Sequence, residues 1–122
     1  MISTSYDVSK ALTVFKATGE ITVQEIIQAI ETFYAETPTK LTLWDLRHAE
    51  NNTVSSEDID RIIEIIRRHS DEREGGKSAL VVSRDFAFGM SRMHIAKTEI
   101  SKINISYYVT RSIPEAMEWL GL

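Results

Sequence analysis

The β-branched and aromatic run Ile105 to Thr110 is separated by Arg111 alone from Ser112-Ile113-Pro114-Glu115, a Ser-x-x-Glu capping box. A strand that passes at once into a capped helix is half of a β-α unit. Ala116, Met117, Trp119 and Leu120 give that helix an apolar surface that must dock on something. The same alternation recurs upstream, and it restricts the chain to an α/β architecture.

Two extended segments, Thr4 to Val8 and Ala11 to Thr18, are separated only by Ser9 and Lys10, the spacing of an antiparallel hairpin. Gly19 is expected to end the second. Thr22-Val23-Gln24-Glu25 is another capping box, and Val23, Ile26, Ile27, Ile30, Phe33 and Tyr34 follow at helical spacing. After Pro38, Lys40 to Leu46 is apolar on both parities, which predicts a central strand covered on both faces. A polar loop, Glu50 to Val54, leads to a helix starting near Ser55 or Ser56. Acidic Glu57, Asp58 and Asp60 stand at its start, basic Arg67, Arg68 and His69 at its end, and Ile59, Ile62, Ile63 and Ile66 form its buried stripe. Gly75-Gly76 precedes a buried strand over Ser78 to Ser83. A third helix is predicted over Met90 to Lys102, with Met93, Ala96, Ile100 and Ile103 on its inner face.

The predicted order is β-β-α-β-α-β-α-β-α in one domain spanning residues 1–122, a mostly parallel sheet with an N-terminal antiparallel hairpin. Each β-α-β step is a right-handed crossover. If strand order follows chain order, all crossover helices fall on one sheet face. The other face then needs the hairpin, a shifted helix, a ligand or a second subunit to cover it, which makes a homodimer one expectation.

A chain of 122 residues is one domain by length. Fourteen Lys and Arg against eighteen Asp and Glu leave a net charge of -4, which argues against nucleic acid as a partner. The absence of cysteine excludes disulfides, thiol nucleophiles and thiolate metal sites. The N-terminus lacks the basic start and apolar stretch of a signal peptide, and no apolar run approaches the roughly 20 residues of a transmembrane helix. A cytoplasmic protein is expected, in which the Asn-x-Ser/Thr triplets at Asn51 and Asn104 carry no glycan.

Four segments together resemble one family. They are Gly19-Glu20-Ile21-Thr22, Leu43-Trp44-Asp45-Leu46-Arg47, Phe88-Gly89-Met90-Ser91-Arg92-Met93 and Glu115-Ala116-Met117-Glu118-Trp119-Leu120. In these the chain is similar to STAS-like (SpoIIAA-like) domains, whose fold is that of anti-sigma factor antagonists and has been compared with CRAL-TRIO lipid carriers. The resemblance spans essentially the whole chain and implies a binding or regulatory domain. True antagonists of that fold carry a phosphoacceptor serine in an Asp-Ser-x-Gly turn before the second helix. The corresponding stretch here, Asn51 to Asp58, has no glycine, so Ser55 and Ser56 read as helix caps before phosphoacceptors.

Ligands of open α/β sheets bind beyond the carboxyl ends of the strands. Asp45, Arg47 and His48 follow the third strand, Arg84 and Asp85 the fourth, and Arg111 the fifth. With strands roughly 4.8 Å apart, the three arginines would span about 10 Å of rim, enough for a phosphate, a carboxylate or an acidic loop. The competing reading pairs Arg47 with Asp45 or Glu50, Arg84 with Asp85, and Arg111 with Glu115. Phe86, Phe88, Met90 and Met93 form a soft apolar cluster, either core or docking surface.

Other motifs fail on context. Gly75-Gly76-Lys77-Ser78 precedes a strand instead of opening a helix, so it is no P-loop. Ser91 lacks the second glycine of a nucleophile elbow. His48, His69 and His94 have no ligand-spaced partners, so no metal site and no cofactor are predicted. The sequence therefore reads as a non-enzymatic domain that recognises a protein partner or a small anionic or lipid-like ligand at the strand C-terminal rim, through Arg47, Arg84, Arg111, Asp45 and His48. The alternatives are a small hydrolase or transferase using Asp45 and His48, and a structural homodimer.

Overall fold

The computed structural model describes residues 1–36, 38–50 and 54–122. Strand β1 (Ile2–Asp7) runs into a 3-10 turn, Val8–Lys10, capped by the Asp7 carboxylate, which accepts from the Lys10 backbone N–H. Ala11 takes a left-handed φ of 50° and redirects the chain into β2 (Leu12–Glu20). The pair is antiparallel, with Ile2 opposite Ala17 and Asp7 opposite Leu12. Strands β3 (Leu41–Glu50), β4 (Gly76–Val81) and β5 (Ile105–Thr110) then add in parallel, so the sheet order β1-β2-β3-β4-β5 is the chain order.

The helices start where their caps direct. Thr22 accepts from the Glu25 backbone N–H at 3.2 Å and Glu25 reciprocates, opening α1 (Val23–Ala35). Ser55 and Asp58 form the same reciprocal box at the start of α2 (Ser56–His69), where each partner satisfies a backbone donor the helix cannot. The closing helix α4 (Ile113–Trp119) departs from expectation: Ser112 caps the Glu115 N–H at 3.3 Å, yet the Glu115 carboxylate turns to the hydroxyls of Thr110 at 2.6 Å and Tyr108 at 3.4 Å. Only half of that box forms, because two hydroxyls on β5 compete for the carboxylate.

Helices α1, α2 and α3 (Asp85–Ile100) lie on one face of the sheet. Isoleucines of α1 and α2 join Phe15, Phe33 and Tyr34 in the main core, with Met90 and Met93 of α3 packed against it. The second face is covered by α4, whose Ala116 and Leu120 pack on Leu12, Leu43, Ala79 and Val81. A shifted helix therefore supplies the cover that sequential strand order demands. No helix among the described residues is long and apolar enough to cross a membrane.

Two expectations need correction. Strand β3 does not stop at Leu46. It continues to Glu50, pairing Thr18, Gly19 and Glu20 of β2 with His48, Ala49 and Glu50 after a bulge in the register. Gly19 tolerates the continuation because its φ of +70° costs a glycine little. Asn51 to Thr53, with the first Asn-x-Ser/Thr triplet and most of the expected loop, lie outside the described residues. The third helix begins at Asp85, five residues early, and its inner face is rotated. Ala87, Ser91 and Thr98 are buried, while Ala96 is exposed and Ile100 is 79% exposed. Hydropathy misreads such a stripe. Thr98 satisfies its hydroxyl by donating to the Ile95 carbonyl at 2.7 Å, and Ser91 lines a partly open cavity.

The join before β4 is the tightest point in the fold. A Cβ at Gly76 would stand 2.6 Å from the Lys40 carbonyl oxygen and 2.8 Å from that of Arg73. Only glycine lets the start of β4 approach the start of β3 so closely.

Candidate ligand cavity and strand-end rim

Each of the three rim arginines is engaged by its own carboxylate. Arg47 binds Asp45 through two parallel hydrogen bonds of 2.9 Å, from Nε to Oδ1 and from Nη2 to Oδ2. Asp45 is 6% exposed, and the Arg47 guanidinium holds its carboxyl below the usual carboxylate range. Arg84 stands 3.7 Å from Glu50, where Asp85 was expected. Asp85 instead takes Arg111 at 2.6 Å, and Arg111 also donates to the Ser83 carbonyl at 2.9 Å and lies over the Phe88 ring. The exposed pairs of Arg84 and Arg111 contribute little stability, and the Arg47 pair stands on a buried carboxylate. They do, however, neutralise the rim as an anion site.

The remaining sequence candidates do not converge either. His48 is exposed on β3, and among the described residues no hydrogen bond joins it to Asp45, whose carboxylate is held by Arg47. Ser55 is occupied as the N-cap, accepting from the Asp58 N–H at 3.1 Å, and the Ser56 hydroxyl accepts from Lys97 at 3.0 Å. The Phe86 to Met93 cluster divides: Phe86 is 46% exposed, whereas Met90 and Met93 pack on the main core.

The structure instead places a partly open cavity of about 110 Å³ between the sheet and helices α1 to α3. Its floor is the inward face of the sheet: Phe15 on β2, then Thr42, Trp44 and Leu46 on β3, Ser78 and Leu80 on β4, and Tyr107 on β5. From Thr42 to Leu46 is four residues, or about 13 Å of strand. The roof is aliphatic, built from isoleucines of α1 and α2, with Met90, Ser91 and His94 contributed by α3. Phe15 and Trp44 stack at 4.1 Å between ring centroids, fixing a flat aromatic wall.

Polar groups gather toward the amino ends of the parallel strands. Arg73, in the 3-10 turn before β4, is 3% exposed, and its Nε donates to the Thr39 carbonyl at 2.6 Å. Its Nη2 donates to the carbonyls of Lys40 at 3.0 Å and Lys77 at 3.2 Å. Thr42 and Ser78 share a hydrogen bond of 2.6 Å. Burial pushes the Tyr34 and Tyr107 hydroxyls above the usual tyrosine range, although the nearby Arg73 charge pulls both back in part. Both stay protonated at neutral pH. His94 meets Tyr107 edge-on at 4.9 Å, and burial pushes its imidazole down to about 4. It is half-buried, its remaining surface lining the cavity, and it is neutral at pH 7.

Sequence reasoning passed over Arg73, Tyr34, Tyr107, Ser91 and His94 as site residues. Ser91 and His94 did carry a signal. They lie on the same α3 face as Ala87 and Thr98, where a purely aliphatic core would have placed larger apolar residues. Arg73 carried none, since nothing local separates it from its exposed neighbours Glu72 and Glu74.

No protein-family model and no curated protein matches the sequence. Among solved structures, the chain is similar to an uncharacterized protein from the DUF3478 family with a SpoIIAA-like fold, from Shewanella loihica PV-4. The two share 16% identity over 98% of this chain and 92% of the other, with a TM-score of 0.62.

Proposed function

From the SpoIIAA-like fold and the partly open cavity within it, we propose that this chain is a binding or regulatory domain, not an enzyme, and that it holds a small lipid-like ligand between the sheet and helices α1 to α3. The observation that carries the reading is the cavity. A partly open space of about 110 Å³ with a mostly apolar lining leaves aromatic and aliphatic side chains in contact with water, a cost that a fitting apolar ligand would relieve. A cavity on the order of 150 Å³ is enough to take benzene. The space here is smaller than that, so the ligand is a short chain with part of its length at the open side. The cavity reaches Leu46 and Leu80 toward the carboxyl ends of β3 and β4, the end where open α/β sheets bind their ligands. The arginine rim plays no direct part, since Arg47, Arg84 and Arg111 are each paired.

Trp44 provides the test. The chain has two tryptophans, and Trp119 packs on the opposite face of the sheet, so Trp119→Phe leaves Trp44 as the sole reporter inside the cavity. Short-chain acids, alcohols and small aromatics are titrated against its emission. A saturable change with at least one of them is expected, and native mass spectrometry of freshly purified protein should show retained small-molecule mass. A Trp44 signal indifferent to every compound up to its solubility would refute the reading.

A further inference from the structure

The cavity contains one charge without a counter-ion. Among its lining residues there is no Asp, Glu or Lys, His94 is neutral, and Arg73 alone carries charge. Among the described residues no carboxylate forms an ion pair with Arg73. Glu72, beside it in the chain, stands 3.6 Å from His69. A guanidinium has five N–H donors. Three of them, on Nε and Nη2, go to the carbonyls of Thr39, Lys40 and Lys77. No acceptor stands within 3.5 Å of Nη1 among the described residues, and the one further polar group the guanidinium approaches is the Tyr34 hydroxyl, whose acidity it helps to hold. Arg73 is 3% exposed and lines the cavity together with Tyr34, which sets the guanidinium in the cavity wall.

Resting on the cavity reading above, we infer that the ligand is a small monocarboxylate, its head group taken by Nη1 of Arg73 and its apolar body lying along Phe15 and Trp44. The chemistry is complementary at both ends. A buried guanidinium gains most from a partner that brings both negative charge and acceptor oxygens, and a carboxylate supplies both in the plane the guanidinium presents. The protonated hydroxyls of Tyr34 and Tyr107 line the same cavity and add donors, not acceptors, to a bound anion. A cation would be repelled by the Arg73 charge. An alcohol fills the apolar part and leaves the charge unanswered. By comparison with the benzene-sized cavity the volume takes about four carbons, and its open side admits the rest of a short chain.

The test is isothermal titration of the full chain at pH 7 with hexanoate, hexan-1-ol and hexylamine. Hexanoate is expected to bind about 10- to 100-fold more tightly than hexan-1-ol, the range of one or two hydrogen bonds to a charged group. Hexylamine, a cation at this pH, should bind more weakly than the alcohol. In Arg73→Gln the acid should lose its advantage while the alcohol keeps its affinity. If that variant does not fold, the ranking of the three ligands on the unaltered chain decides alone. Equal affinity for acid and alcohol would overturn the carboxylate assignment and leave the cavity reading standing. An acid preference that survives in folded Arg73→Gln would overturn Arg73 as the anchor. Failure of all three compounds to bind would overturn the cavity reading itself.

Discussion

Replacing Ser91 with leucine should make the protein more stable and unable to take its ligand. Ser91 is buried on the inner face of α3 and lines the cavity, and its hydroxyl has no hydrogen-bond partner among the described residues. The change therefore breaks no bond, and leucine is the better helix former by a few tenths of a kcal/mol. An empty space of about 110 Å³, at ~24 cal/mol per Å³, sets a ceiling of about 2.6 kcal/mol on what filling can recover. One leucine fills part of that volume and pushes against some neighbours, so the expected gain is about 1–2 kcal/mol. In a domain of this length that corresponds to a rise in Tm of roughly 3–8 °C. Urea unfolding followed by circular dichroism gives the free energy, and titration of the same variant with hexanoate gives the binding. A loss of more than about 1 kcal/mol would mean that the space is not there to be filled. Stabilisation with undiminished ligand affinity would mean that the ligand sits elsewhere.

Three further outcomes follow from single residues. His94 is held down to about 4, against 6.5 for an ordinary imidazole, so between those values the unfolded chain takes up a proton that the folded chain refuses. Stability should fall as pH drops from 6.5 to about 4, by up to about 3 kcal/mol, and His94→Leu should remove that dependence in urea unfolding; equal slopes in the two proteins would contradict it. Gly76→Ala should cost about 2–3 kcal/mol, because its Cβ meets two backbone oxygens that no side-chain rotation relieves; unchanged thermal unfolding would show that the start of β4 is free to shift. Ser55→Ala should lose about 1 kcal/mol by breaking the cap of α2. Ser56→Ala should lose less, so equal losses in chemical denaturation would count against the assignment of the cap.

Most of the architecture was legible because it was written in local signals. Ile105–Thr110 was bounded correctly by its β-branched run and the capping serine beyond it. The starts of α1 and α2 followed from Thr22 and Ser55, whose side chains bond backbone groups three residues away. What failed was decided by distant partners. Glu115 left its box for Thr110 and Tyr108, and β3 ran on past Leu46 because the end of β2 was there to pair with it. The site was the least legible part. Rim arginines are conspicuous in a sequence, but their value depends on which carboxylates the fold brings to them. Arg73 is inconspicuous in a charged turn, and its burial arises from the closeness of β3 and β4, two strands that begin 35 residues apart.

Because the strands stand side by side in the order in which they are synthesised, each new strand emerging from a ribosome meets its neighbour already in place. Assembly can then advance in the direction of translation with little need for long loops to close first. The stripe of Leu12, Leu43, Ala79 and Val81 escapes that convenience. Its cover, α4, follows β5 in the chain, so a greasy sheet face stands open to water for the interval between the first strands and the closing helix. During synthesis that face, more than either sheet edge, is where a chaperone would find purchase on this protein.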